Sequence, residues 1–111
     1  MARLTSDFWV SAWLRQAAHD GLVAVLRRRG AQEAGAIFVK LDRLDGTARL
    51  YGPAPQALAE DDGERRFQML LEADPLTVED RVATEVRFDG DLWLVEIENR
   101  AGDPRIPLAA D

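Results

Sequence analysis

Hydrophobic and polar positions alternate most cleanly over residues 34–52, AGAIFVKLDRLDGTARLYG. The stretch predicts a β-hairpin turning at Leu44-Asp45-Gly46, since Gly46 accepts the positive φ that such a turn demands. In the first arm Ile37, Val39 and Leu41 share one face, and Phe38, Lys40 and Asp42 the other. In the second arm Ala48 and Leu50 share a face opposite Arg49 and Tyr51. Gly52-Pro53-Ala54-Pro55 ends the ribbon, because proline donates nothing to a ladder.

Upstream the period changes to 3.6. Val10, Trp13, Leu14 and Ala17 form one stripe, with Trp9 at its edge. They predict a helix from Ser6, read as its N-cap, to about His19, where Asp20-Gly21 stops it. Phe8, Ala12, Arg15 and His19 lie on the opposite side, and an apolar Phe8 there marks a candidate contact. Residues 22–28 fit helix or strand by period alone; their short run, their valines and the preceding Gly21 favour strand. Residues 30–35 follow as a loop.

Downstream, AEDDGE at 59–64 reads as an acidic surface loop without the regular carboxylate spacing of a calcium loop. Residues 66–71 predict a strand with Phe67, Met69 and Leu71 on one face. Asp74-Pro75 opens a second helix whose apolar stripe is Val78, Val82 and Val86, with Ala83 beside it. Phe88 lies near its end and Gly90 stops it. Residues 92–98, LWLVEIE, form the strongest strand: Trp93, Val95 and Ile97 face one way, Leu92, Leu94, Glu96 and Glu98 the other. Apolar residues on both faces predict an interior strand, at least over its first half. The expected fold is α+β, about five mostly antiparallel strands with two helices in the order α-β-β-β-β-α-β. It forms a single domain over 1–101, and the proline-containing tail, 102–111, is expected to be loose.

Composition narrows the function classes. The 111 residues, 47% hydrophobic and 31% charged, suit one globular domain. A net charge of −6 opposes binding to a phosphate backbone, and the one basic cluster, Arg27-Arg28-Arg29, is too short to reverse it. No nucleic-acid partner is expected. No apolar run reaches the ~20 residues of a membrane span, and the N-terminal residues lack a signal-peptide core. The absence of cysteine fits the cytoplasm.

Candidate chemistry is sparse. His19, the single histidine, suits a helix C-terminus. With one histidine and no cysteine, no metal site and no cofactor are expected. Glu96 and Glu98 point to the same side of their strand, as paired carboxylates for acid–base work would, or as partners for arginines across the sheet. Ser6 and Ser11 stand in no nucleophile motif, and Gly30 and Gly35 make no phosphate loop. Catalysis has no motif to rest on.

Five stretches carry a family resemblance: RLTSDFWV (3–10), AGAI (34–37), LYGPA (50–54), Arg65-Arg66-Phe67, and DGDLWLVEIENR (89–100). In this order, and across nearly the whole chain, they resemble domain-of-unknown-function family 1491, a family of small bacterial proteins. The chain departs from the family pattern at Gly90, where proline is usual, and at Asn99, in place of aspartate. The resemblance implies no substrate, cofactor or catalytic residue.

The function therefore stays open at this level. The leading expectation is a small cytoplasmic interaction or self-associating module without catalysis. The alternative is a small-molecule-binding protein or minor enzyme using Arg15, His19, Glu96 or Glu98 at one end of the sheet. The dimer expectation rests on counting faces. Two helices of this length cover about one face, yet Phe38 and Tyr51 oppose Ile37, Val39 and Leu50, while Leu92 and Leu94 oppose Trp93 and Val95. The second face needs a cover, either the chain's own loop over 52–64 or another chain. Another chain is favoured, which makes Phe38, Tyr51, Leu92 and Leu94 the expected surface for a second copy in a symmetric homodimer, or for another protein partner.

Overall fold

A computed structural model describes residues 4–55 and 64–109; of the acidic run at 59–64 only Glu64 falls within them. In chain order the elements are α1 (Ser6–His19), β1 (Val23–Arg28), β2 (Ile37–Asp42), β3 (Ala48–Pro53), β4 (Phe67–Ala73), α2 (Pro75–Phe88) and β5 (Trp93–Glu98). The order matches the expected α-β-β-β-β-α-β. The strands form one sheet, β1-β5-β2-β3-β4. Every neighbouring pair is antiparallel except β2 with β5, which run parallel.

That parallel pair sets the layering. β4 and β5 run in the same direction, so β4–α2–β5 is a crossover, and crossovers of this kind are right-handed, which assigns α2 to one face. Val78 and Val82 of α2 pack there on Phe38, Ala48, Leu50, Leu92 and Leu94. The other face takes α1, whose Val10, Trp13 and Ala17 cluster with Ile37, Val39, Leu41, Trp93, Val95 and Ile97. The helices lie on opposite faces rather than side by side. Phe38, Leu92 and Leu94 are consequently buried beneath the chain's own α2, and Tyr51 joins the α1 core. None of these four is a surface for a partner. Register explains why Tyr51 does not share a face with Phe38: it pairs with Val39, and cross-strand partners share a face.

β4 departs from the expected alternation. Its register to β3 slips between Leu50 and Tyr51, where Leu70 is the extra residue of a bulge. Phe67 faces the α1 core, whereas Leu70 and Leu71 both pack on the α2 side, so Phe67 and Leu71 do not share a face.

The N-terminus of α1 is held by the loop before β2. Thr5, not Ser6, is the N-cap residue, and it makes no side-chain cap bond. The Ser6 and Asp7 amides instead donate to the carbonyls of Glu33 and Gln32, both at 2.9 Å. Ser6, fully buried, donates from Oγ to the Gly35 carbonyl at 2.6 Å. At the other helix Asp74 caps α2 as expected, accepting from the Thr77 amide at 3.1 Å, and hydrogen bonds from Thr77 hold its carboxyl below the usual carboxylate range.

The expected loose tail is docked up to Ala109. The Trp13 indole donates to the Arg105 carbonyl at 3.0 Å, Arg105 pairs with Asp20, Pro104 is buried and Ile106 joins the α1 core. Phe67 then donates to Pro107 and accepts from Ala109, both at 2.9 Å, which seats the tail on the outer side of β4. Aromatic and aliphatic burial outweighs the two prolines.

Candidate functional site

Four of the five family-like stretches meet at one junction. Arg65 donates to the Leu4 carbonyl at 3.0 Å and to Ser6 Oγ at 3.1 Å. Trp9 lies on Phe67 with ring centroids 5.3 Å apart. The Asp91 carbonyl accepts from the Ala31 amide, and the Trp93 indole donates to the Ala31 carbonyl at 2.7 Å. A side chain at Gly30 or Gly35 would collide with that Asp91 carbonyl, so both glycines serve a close approach of backbone to backbone. Arg29 sits over the Trp93 ring, 5.4 Å from its centroid. These residues hold the molecule together, and a small depression of about 290 Å³ beside them is lined by Leu4, Thr5, Glu33, Ala34 and Arg65.

On the α2 face four charges form a balanced cluster. Lys40, only 5% exposed, donates to Glu79 of α2 at 2.5 Å. Arg27 reaches Glu79 at 2.8 Å and also pairs with Glu96. Arg27 and Lys40 together pull the Glu79 carboxyl down to about 2, against partial burial, and Glu79 in return raises the Arg27 guanidinium. A carboxylate held so firmly ionised is a poor proton shuttle at neutral pH. It works as a latch that ties α2 to β1 and β2. Glu79 was absent from the sequence-derived candidates, although it stands three and seven residues before Val82 and Val86, inside the apolar stripe. A carboxylate on a buried stripe opposite the chain's single lysine was the available signal.

The sequence-derived candidates do not converge. Phe8 is 59% exposed and His19, with its side chain 82% exposed, lies 3.4 Å from Asp20 at the end of α1. Arg15 is exposed on the same helix. Glu96 and Glu98 lie across the sheet on the α2 face, with Glu96 committed to Arg27 and Glu98 making no ion pair among the described residues. A shallow groove of about 470 Å³ opens elsewhere, along Tyr51, Met69 and Leu108, and its cation Arg49 is held by Glu72 at 2.5 Å. Among the described residues no three metal-ligating side chains come together.

The remaining feature is an open strand edge. β5 uses its odd residues toward β2: Trp93 donates to Ala36 and, just past the strand, Asn99 donates to Asp42. Its even residues therefore bond to β1, where Glu98 opposes Val23 and Glu96 opposes Val25. The amides and carbonyls of Ala24 and Leu26 consequently point away from the sheet, and nothing among the described residues bonds to them. Beside them Val23 and Val25 are 58% and 47% exposed.

The comparisons bear on the whole of this architecture. The model of DUF1491, a protein of unknown function, matches residues 4–107. The chain belongs to that family. The solution structure of protein Atu0922 from A. tumefaciens shares 39% identity, covering 98% of this chain and 97% of that one, with a TM-score of 0.82. A crystal structure of a DUF1491 family protein from Caulobacter crescentus CB15 shares 33% identity over 96% of this chain and 98% of that one, with a TM-score of 0.79. No curated protein matches. Membership of DUF1491 therefore fixes relatives and fold and leaves the activity unassigned. Gly90 has free space where a Cβ would stand, and Asn99 both accepts from the Ala101 amide and donates to the Asp103 carbonyl.

Proposed function

We propose that this protein is a small cytoplasmic protein-interaction module that docks through β1. The observation that carries this reading is the unpaired edge at Ala24 and Leu26, flanked by the exposed Val23 and Val25. Such an edge accepts a strand, with main-chain bonds giving affinity and alternate side chains giving selectivity. No helix among the described residues is long and apolar enough to cross a membrane. A cysteine-free composition is at home in a reducing compartment. The test is selection of displayed peptides on the immobilised protein, followed by NMR titration of the winners. Selected peptides should shift and protect the amides of Ala24 and Leu26. Peptides that perturb only Tyr51 and Met69 at the groove would refute the reading.

A further inference from the structure

We infer that the strand β1 accepts is β1 of a second copy, in antiparallel pairing about a two-fold axis at Val25. This rests on the reading of β1 as the docking edge. The register follows from which groups point outward. Ala24 and Leu26 are two residues apart, so in an antiparallel pair Ala24 of each copy exchanges both main-chain bonds with Leu26 of the other. Val25 then faces Val25 across the axis as a close, non-hydrogen-bonded pair, and Val23 faces the stem of Arg27.

The side chains are self-complementary in that register. On the α2 face the valines of the two copies join into one apolar strip, covering side chains that are about half exposed in the single chain. Charges alternate around the strip. Glu98 lies beside Val23, makes no ion pair within its own chain among the described residues, and comes to lie one strand beyond the Arg27 of the other copy. The basic end of each β1, with the exposed Arg29, runs toward the turn at Asp20 of the other. A parallel arrangement would instead align like charges along the edge.

Among the described residues none bonds to the outward main-chain groups of Ala24 and Leu26. The bulge in β1 falls between Leu26 and Arg28, past Ala24 and Leu26, whose main-chain groups carry the pairing bonds. α1 crosses its face diagonally: Trp9 near its start lies on Phe67 of β4, and its last turn bonds to Leu22. Two-fold pairing makes a closed assembly with no free β1 edge left over.

The absence of native cysteine permits a direct test. Val25→Cys carries the chain's single thiol, and pairing about the proposed axis sets two such thiols face to face. Under mild oxidation it should cross-link on the order of a hundred-fold faster than Leu76→Cys, whose thiol lies on the exposed start of α2, because pairing raises the effective concentration. Wild type should sediment as a dimer at micromolar concentration. Val25→Lys, which opposes like charges at the axis, should sediment as a folded monomer with an unchanged circular dichroism spectrum. A monomeric wild type with Val25→Cys no faster than the control would overturn the proposal. So would a dimer that survives Val25→Lys. Peptide strands that still protect Ala24 and Leu26 on a monomeric protein would sink self-pairing alone and leave the edge as the docking site.

Discussion

Replacing Glu79 by alanine tests whether the charge cluster is a latch. The substitution leaves Lys40, 5% exposed, facing α2 without its carboxylate, and leaves Arg27 with Glu96 alone. Breaking a fully buried pair costs about 3–5 kcal/mol. Here Glu79 is about a third exposed and Lys40 keeps Glu96 opposite it on β5, so about 2 kcal/mol is expected. Lys40→Met removes the stranded cation at similar volume. In that background Glu79→Ala should cost about 1 kcal/mol or less, since only the exposed pairing with Arg27 is lost. Urea unfolding of the four proteins, read as midpoints with the slope held constant, completes the cycle. The same carboxylate sets a pH dependence. Its folded pKa, about 2, lies below the ordinary 4.5, so its stabilisation is complete above about pH 5 and drains away as pH falls through 2. The full shift is worth about 3 kcal/mol, and solvent screening reduces it to about 1–2 kcal/mol. Equal costs for Glu79→Ala with and without Lys40, within about 0.5 kcal/mol, would refute the latch.

Three further outcomes follow from the packing. Gly35→Ala presses a methyl group into the Asp91 carbonyl and should lower stability by about 3 kcal/mol or more, read as a large drop in Tm; an unchanged Tm would show that the loop yields freely. Trp93→Ala removes a side chain 1% exposed at the junction and should cost about 3–5 kcal/mol by urea unfolding, with loss of near-ultraviolet dichroism. Truncation after Gly102 uncovers Trp13 and Phe67 and should speed limited proteolysis within α1; a truncated chain as resistant as the full one would mean that the tail contributes little.

The order of the elements was legible, because period 2 and period 3.6 alternate sharply between Gly and Pro stops. At residues 22–28 period alone left helix and strand open, and only the valines and Gly21 tipped the reading to the strand that forms. The sequence could not show where β5 inserts. A strand apolar on both faces announces that it is interior, but not which neighbours it separates, and its place beside β2 fixes the crossover that sends α2 to the far face. The misplaced interface at Phe38, Leu92 and Leu94 follows from that one gap. The bulge at Leu70 was hidden for a different reason: Leu70 and Leu71 are both apolar, so a slip of one residue leaves the pattern plausible. The tail misled because its prolines advertise irregular backbone, and irregular backbone can still be well packed. At the candidate site, Glu96 and Lys40 were placed on the right face, while Glu79 needed the register of α2 against the sheet.

The insertion of β5 also shapes how the chain acquires its structure. It follows the other four strands of the sheet in the chain, yet it forms the seam between β1 and the β2–β3 hairpin. Before residues 93–98 leave the ribosome, β1 has no neighbour in the sheet and the hairpin has one open flank. Such long-range pairing places the molecule among slower-folding topologies and exposes apolar strand edges in the nascent chain. Productive folding of the sheet then waits for β5, and a fragment ending at α2 would offer cellular proteases and chaperones two unsealed halves of one sheet.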